Sequence, residues 1–337
     1  MKRIMAVYDV DLSYAERFAD FANQKEKVPF TVMAFTSLQR LKEYAKNTPI
    51  ELLLVSELVS REEILEVGAS QVMILVDGEV VEMKDAYPNV YKFQSTDSIL
   101  REVMTYYCEQ PEKEALRVLG CTSSIVGVYS PVNRCLKTSF SLTMGQLLAR
   151  ESKVLYINLE DYSGFSRLIP VEHKGDLSDL LYYYRQENYN FMRLNSVIYT
   201  WGSLDYIPPA RYPEDLCQIS AEEMIDLLER IARESAYDTI IVDFGQFGRK
   251  AAKTLEVCNV IYMPVKEDCV SVAKIEEFLE HLDAAGQSEL KERIQKIKLP
   301  YHNSFGRRES YMDQLLWGEL GDYVRQLLNG RKPVWTH

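Results

Sequence analysis

The chain has 337 residues, 47% hydrophobic and 26% charged, the balance of a folded protein with room for two domains. Its formal charge of −11 excludes non-specific DNA or RNA binding, which needs a basic face. It has no apolar run long enough for a bilayer, so no stable membrane insertion is expected.

The first ten residues, MKRIMAVYDV, meet acidic residues at Asp9 and Asp11 too early for a secretory signal. Strands are predicted at 3–8, 30–34, 51–55, 72–76 and 90–93, and helices at 13–22, 38–46, 61–67 and 96–107. Strands separated by single helices imply a parallel sheet covered on both faces. Four helices can be placed by residue, one short of the five strands with five helices that make the flavodoxin-like count expected here. The pattern then yields to the charged segment EQPEKEA, which marks a linker. The expected layout is a first domain over 1–110, a linker over 111–119, a second domain over 120–330 and a tail over 331–337.

The second domain reads as strands at 125–129, 154–159, 204–207, 239–242 and 260–264, with 298–300 as a possible sixth. Helices are predicted at 137–150, 177–187, 221–235, 269–284 and 309–329, and 189–201 is an aromatic stretch. The fold class is therefore α/β, with two doubly wound parallel-sheet domains. The six cysteines (Cys108, Cys121, Cys135, Cys217, Cys258 and Cys269) lack C-x-x-C spacing. Buried reduced thiols and a cytoplasmic setting are expected, without disulfides or sulfur-bound metal.

The strand at 125–129 runs into a turn and then into Lys137-Thr138, which open a helix. That is the layout of G-x-x-x-x-G-K-[ST], where backbone N–H groups wrap phosphates, lysine reaches the β/γ oxygens and the hydroxyl holds magnesium. Pro131 stands at the first glycine position and Leu136 at the last. The candidate nucleotide-binding residues are Asn133, Arg134, Cys135, Leu136, Lys137, Thr138 and Ser139, with ATP or ADP and Mg²⁺ as ligand. A non-glycine residue in a left-handed loop position costs about 1–2 kcal/mol and crowds a pyrophosphate. Arg134 can offset part of this through its own phosphate contact.

Residues 1–107 resemble a response-regulator receiver. Asp9 and Asp11 follow the first strand, where receivers keep magnesium-binding carboxylates, and Lys92 follows the fifth, where they keep a lysine. Ser56 stands in place of the phospho-accepting aspartate and cannot form an acyl phosphate. Glu57, one residue on, turns to the other face of the strand. The resemblance implies a pseudo-receiver, an interaction module without phosphotransfer. The residues alone also admit Asp9 and Asp11 as helix caps with Lys92 as their surface partner.

Residues 120–330 resemble the ParA/MinD ATPases. After the loop come Asn158-Leu159-Glu160-Asp161, where that family has D-x-D, and Tyr237-Asp238-Thr239-Ile240-Ile241-Val242-Asp243, which matches its YDxIIxD strand. The resemblance implies that Thr138 and Asp243 hold the magnesium shell and that Glu160 or Asp161 orients the attacking water. Three departures stand out. Val132 replaces the lysine that reaches across a dimer, Asn133 and Arg134 replace paired glycines, and no asparagine is in place to read the purine. Together, the two halves are similar to the TadZ/CpaE proteins of Flp pilus assembly. This implies a homodimer formed through the C-terminal domain, pilus or secretion machinery as partners, and a position at a cell pole or inner membrane face.

Other features have simpler readings. The aromatics of 182–201 suit core and dimer-interface packing, since they lack basic companions. Residues 206–215 read as a strand end with a rigid proline loop. His173, His281 and His302 read as surface or capping residues. The stripe of the last helix suits packing on the core, because its polar face is acidic where a membrane surface would need Lys and Arg. A scaffold with a degenerate nucleotide site, a working ATPase and an adaptor with a closed site all remain open. Lys137 and Thr138 favour retained binding, while Leu136 and Val132 favour loss of turnover.

Overall fold

Apolar runs become the strands of two sheets in the computed structural model, which describes residues 3–25, 28–78, 87–108, 123–169, 171–245, 250–300 and 311–330. The chain divides into two compact units, Met1–Leu116 and Arg117–His337. The expected linker and tail lie outside the described residues.

In the first unit the order is β1 (Arg3–Tyr8), α1 (Leu12–Gln24), β2 (Phe30–Phe35), α2 (Leu38–Asn47), β3 (Leu52–Ser56), α3 (Arg61–Val67), β4 (Gln71–Val76), β5 (Asn89–Tyr91) and α4 (Thr96–Cys108). The strands form one parallel sheet ordered β2-β1-β3-β4-β5, the flavodoxin-like winding. Central β3 is buried throughout, as a strand covered on both faces must be. Four helices, not the expected five, occur among the described residues, and 79–86 between β4 and β5 lie outside them.

The second unit begins with β6 (Ser124–Val128), α5 (Lys137–Leu148), β7 (Val154–Asn158), α6 (Phe165–Leu168), α7 (Leu177–Arg185), α8 (Phe191–Ser196), β8 (Tyr199–Trp201) and β9 (Leu204–Ile207). It continues with α9 (Pro213–Gln218), α10 (Ala221–Glu234), β10 (Thr239–Asp243), α11 (Ala251–Thr254), β11 (Val260–Pro264), α12 (Cys269–Ala284), α13 (Ser288–Glu292), β12 (Ile294–Ile297), α14 (Tyr311–Trp317) and α15 (Glu319–Leu328). The seven strands are ordered β12-β11-β6-β10-β7-β9-β8, all parallel except β8 against β9. Helices α7, α8, α10 and α12 contribute to the core on one face. On the other, α5 lies under α14 and α15. The chain leaves β6 for β7 and later inserts β10 between them, so the ends of β6 and β10 flank the crevice where open α/β sheets bind ligands.

Several expectations need correction. The edge strand is Ile294–Ile297, not 298–300, and its half-exposed pattern lacks an apolar run. The aromatic stretch supplies α8 and β8, and Pro213 starts the short helix α9 instead of extending a loop. The last helix is two. Gly318 takes an extended conformation there and caps α15, and a Cβ on it would lie 2.6 Å from the Gln314 carbonyl oxygen. Both pieces pack on α5, with Leu315 and Val324 fully buried, as the acidic polar face suggested. No described helix is long and apolar enough to cross a membrane.

Leu315→Ala should lower the unfolding free energy by about 2–5 kcal/mol, measured by urea denaturation of the full chain. Exposed Trp317→Ala should change it by less than about 0.5 kcal/mol. Equal, small effects would mean that the helix pair is not part of the core.

Candidate functional site

The loop after β6 keeps a phosphate-loop backbone without glycine. Arg134 has φ +53° and Leu136 φ +64°, both left-handed, at the replaced glycine positions. Side chains there are strained by about 1–2 kcal/mol each, and neighbouring contacts hold the turn. Val132 and Cys135 are buried with Met263 and Ile275. The Val132 N–H donates to Ser130 Oγ at 3.2 Å, and the Cys135 thiol donates to the Val132 carbonyl at 3.1 Å. Burial pushes the Cys135 thiol pKa up, which keeps it protonated as a structural group. Val132 therefore serves the core, where the resembled family has a lysine that leaves the loop.

Leu136 is the N-cap of α5 and has no capping side chain. The first N–H groups of a 12-residue helix face the loop without a side-chain acceptor, an arrangement suited to an anion. Lys137 is only 7% exposed, and its ammonium donates to the Val132 carbonyl at 3.4 Å. Beside the loop a cavity of about 280 Å³ opens between Leu136, Val265, Lys266, Lys298 and Leu299.

Beneath Lys137 lies a buried carboxylate. Asp243 ends β10 with no exposed surface. Its Oδ2 accepts from the Tyr156 hydroxyl at 3.2 Å and from Asn158 Nδ2 at 3.3 Å, and its Oδ1 accepts from the Gly245 N–H at 3.3 Å. Burial raises the Asp243 pKa, opposed by hydrogen bonds from Thr138 and the Gly245 N–H, by the Lys137 charge and by Tyr156. The Glu160 pKa is also raised, by burial and by Asp243, against the pull of Lys137 and Thr138. Thr138 thus lies close to both carboxylates. Gly245, at φ +52°, lets the chain pass Glu160, since a Cβ there would lie 2.6 Å from the Glu160 Cβ.

The structure brings Lys137, Thr138, Glu160 and Asp243 together. Asp161 instead faces outward, lining a separate cleft of about 540 Å³ with Gly164, Pro208 and Arg211. Ser139 turns to α14, its hydroxyl 3.0 Å from that of Tyr311. Asn133 and Arg134 are exposed at the loop tip. Tyr156, Asn158, Gly245 and Tyr311 were missed as site residues. The available signal was parity: Tyr156 and Asn158 are two polar groups on one face of a buried strand.

Oxygens of Thr138, Glu160 and Asp243 are hard donors that fit magnesium. Among the described residues no group of three or more His, Cys, Asp or Glu side chains could hold a metal. A magnesium ion here would therefore need phosphate oxygens and water to complete its shell.

Some simpler readings also change. His173 is half-buried, its Nε2 2.7 Å from the Tyr206 hydroxyl and its ring edge-on to Tyr199, so it is neither a surface nor a capping residue. His281 is exposed on α12, and His302 lies outside the described residues. Phe191 and Tyr199 are buried, but Tyr182 is 62% exposed. Cys135 and Cys258 are buried thiols, whereas Cys217 and Cys269 are exposed.

No family model matches the sequence, and no curated protein does. Solved structures that are similar include a plasmid partition protein from Borrelia burgdorferi bound to AMPPNP, at 15% identity and TM-score 0.43, covering 64% of this chain and 93% of that one. A ParA-family ATPase from Chlorobium tepidum matches at 17% identity and TM-score 0.45, over 62% of this chain and 90% of that one. Cobyrinic acid a,c-diamide synthase from Mycobacterium smegmatis, with a bound ATP analog and magnesium, matches at 13% and 0.44, over 64% and 100%. Likenesses this distant lend no activity to this chain.

In the first unit, Asp11 caps α1 by accepting from the Ser13 and Tyr14 N–H groups, but Asp9 does not cap it. Asp9 is fully buried and pairs with Lys92 at 2.8 Å, with Asp77 3.8 Å from the same ammonium. Lys92 is itself only 9% exposed, so it is not a surface partner. Burial alone would lower its pKa, but the hydrogen bond and charge of Asp9, with Asp77 and Asp11, outweigh this and raise it. Ser56 is buried at the end of β3, and Glu57 turns away to accept from the Asp77 N–H.

Two predictions follow from these geometries. At positions 134 and 136, Gly should be more stable than Ala by about 1 kcal/mol, the reverse of the usual order; urea unfolding of R134G against R134A checks it. Lys92→Met should cost about 3–5 kcal/mol by stranding Asp9, with most of it recovered in Asp9→Asn/Lys92→Met. Because the folded Lys92 pKa is raised, the pair's contribution is fully present below the unfolded value near about 10.4. It should fade as pH climbs through the folded pKa, and a wild-type–mutant gap that shrinks toward neutral pH would contradict the assignment.

Proposed function

We propose that the chain is a nucleotide-binding scaffold. The second unit binds ATP or ADP with magnesium at the β6–α5 loop, and the first serves as an interaction module without phosphotransfer. The observation that carries this reading is the backbone of the loop. Arg134 and Leu136 hold left-handed angles that their side chains oppose, and backbone strain of this kind gathers at ligand sites. Lys137 and the first N–H groups of α5 supply the anion site, and the cavity beside Leu136 offers a base the apolar side chains of Leu136, Val265 and Leu299 among the charged Lys266, Glu267 and Lys298. When bound, magnesium neutralises the phosphate charge. Thr138 and Asp243 orient its shell, and Glu160 faces the same space.

Turnover is weak or absent in this reading, because Val132 is locked into the core where the resembled ATPases carry a second lysine. The finer proposal follows the likeness of both halves to the TadZ/CpaE proteins. It is a localisation factor that dimerises through its second unit and engages pilus or secretion machinery at a cell pole or the inner membrane face. A working ATPase is the second reading, favoured by the exposed Arg134 at the loop tip and by the raised pKa of Glu160, which suits a group handling a proton.

Calorimetric titration of the full chain with ATP–Mg²⁺ and ADP tests the proposal alongside a phosphate-release assay. Micromolar binding without phosphate release is expected, with affinity falling at least about tenfold in Lys137→Ala, as loss of a charge-assisted contact would produce. Phosphate release that disappears in the same variant would establish the ATPase instead. An absence of both heat and thermal shift would end the nucleotide reading.

A further inference from the structure

Directly under the site, β7 carries a tyrosine in an otherwise aliphatic and amide sequence, VLYIN. Tyr156 is fully buried, and its side chain lies on the same face of the sheet as Asp243. The paired register sets Tyr156 beside Ile241 and Asn158 beside Asp243. The Tyr156 hydroxyl is the hub of a closed group. It donates to Asp243 Oδ2 at 3.2 Å and accepts from Asn158 Nδ2 at 2.8 Å, while Nδ2 also lies 3.3 Å from the same carboxylate oxygen. Asn158 Oδ1 in turn accepts the Glu160 N–H at 2.8 Å. Packing fixes the ring: Phe165 stacks on it with centroids 5.8 Å apart.

The two Asp243 oxygens consequently have different surroundings. Oδ2 is held from below by a phenol and an amide, and Oδ1 meets the Gly245 N–H. A carboxylate pinned at one oxygen cannot rotate, so the other keeps a fixed direction.

We propose that Tyr156 is a positioning residue for magnesium-dependent nucleotide binding. Its hydroxyl, backed by Asn158, pins Asp243 Oδ2 so that Oδ1, which accepts from the Gly245 N–H, keeps one direction at the end of β10. Asn158 extends the effect to Glu160, because the amide that touches Asp243 also holds the Glu160 backbone. One strand thereby holds both the Asp243 carboxylate and the Glu160 backbone. This rests on the nucleotide-binding reading above and adds a role for residues that touch neither nucleotide nor metal.

The test compares the affinity of the full chain for a fluorescent ATP analogue in Mg²⁺ and in EDTA. Wild type should bind more tightly with Mg²⁺. In Tyr156→Phe, affinity with Mg²⁺ should fall about tenfold, the scale of a lost outer-shell partner, while affinity in EDTA stays within twofold. Asn158→Ala should shift the ratio in the same direction. Phe165→Leu controls for loosened packing and should lower Tm while leaving the Mg²⁺/EDTA ratio intact. Equal losses in both media, or an unchanged ratio in Tyr156→Phe, overturn the proposal. So does a Phe165→Leu variant that mimics Tyr156→Phe. If wild type binds no analogue in either medium, the nucleotide reading itself has failed and this inference falls with it.

Discussion

A carboxylate with no exposed surface is the constraint on which the second unit turns. Asp243 ends a central strand, where its ionised form would be costly without partners. The surrounding sequence supplies them from three directions: Tyr156 and Asn158 from the neighbouring strand, Gly245 from its own chain, and Thr138 with Lys137 from α5. Each donor is placed by an element whose main business is packing. The parallel register brings β7 level with β10, and the loop after β6 delivers α5 above both.

That delivery explains why the loop tolerates its strain. A tight turn from β6 into α5 needs left-handed backbone, and here Arg134 and Leu136 provide it without glycine. About 1–2 kcal/mol at each position is within what the burial of Val132 and Cys135 against Met263 and Ile275 can offset. The same exchange makes the loop stiffer than a glycine-rich one, since Val132 and Cys135 tie it to the core. A stiff loop with fixed N–H groups can hold an anion, but it has little freedom to rearrange around a changing phosphate.

Much of this was legible in the residues. Lys137, Thr138, Glu160 and Asp243 stand where motif spacing put them, and the cost of non-glycine loop positions could be foreseen because φ preferences are local. The strands with aliphatic runs were plain for the same reason. What stayed hidden depends on tertiary neighbours. β12 sets Gln295 and Lys296 between two isoleucines at a sheet edge and so shows no run. Gly318 sits inside a continuous helical stripe and breaks it through close approach to a carbonyl. Tyr156 looks like one more large residue in a strand until the register places β10 beside it. Asp161 was grouped with Glu160 because they are adjacent, yet one residue of backbone turns it into a different cleft.

The two units solve the same problem with opposite outcomes. Both sheets carry a fully buried aspartate at their C-terminal edge, Asp9 in one and Asp243 in the other. In the first, Lys92 neutralises Asp9 directly at 2.8 Å, and Asp77 draws on the same ammonium. The charge is then satisfied within the chain, and a cation arriving there would have to displace a lysine held by two acids. In the second, neutral donors hold Asp243 while the Lys137 ammonium contacts a neutral carbonyl at 3.4 Å. Lys137 acts on Asp243 and Glu160 only through its charge, and its weak bond to an uncharged group leaves it able to turn to an anion. The arrangement in the first unit favours permanence. The arrangement in the second leaves a positive charge, a row of helix N–H groups and a pinned carboxylate facing one space, a combination suited to an anion.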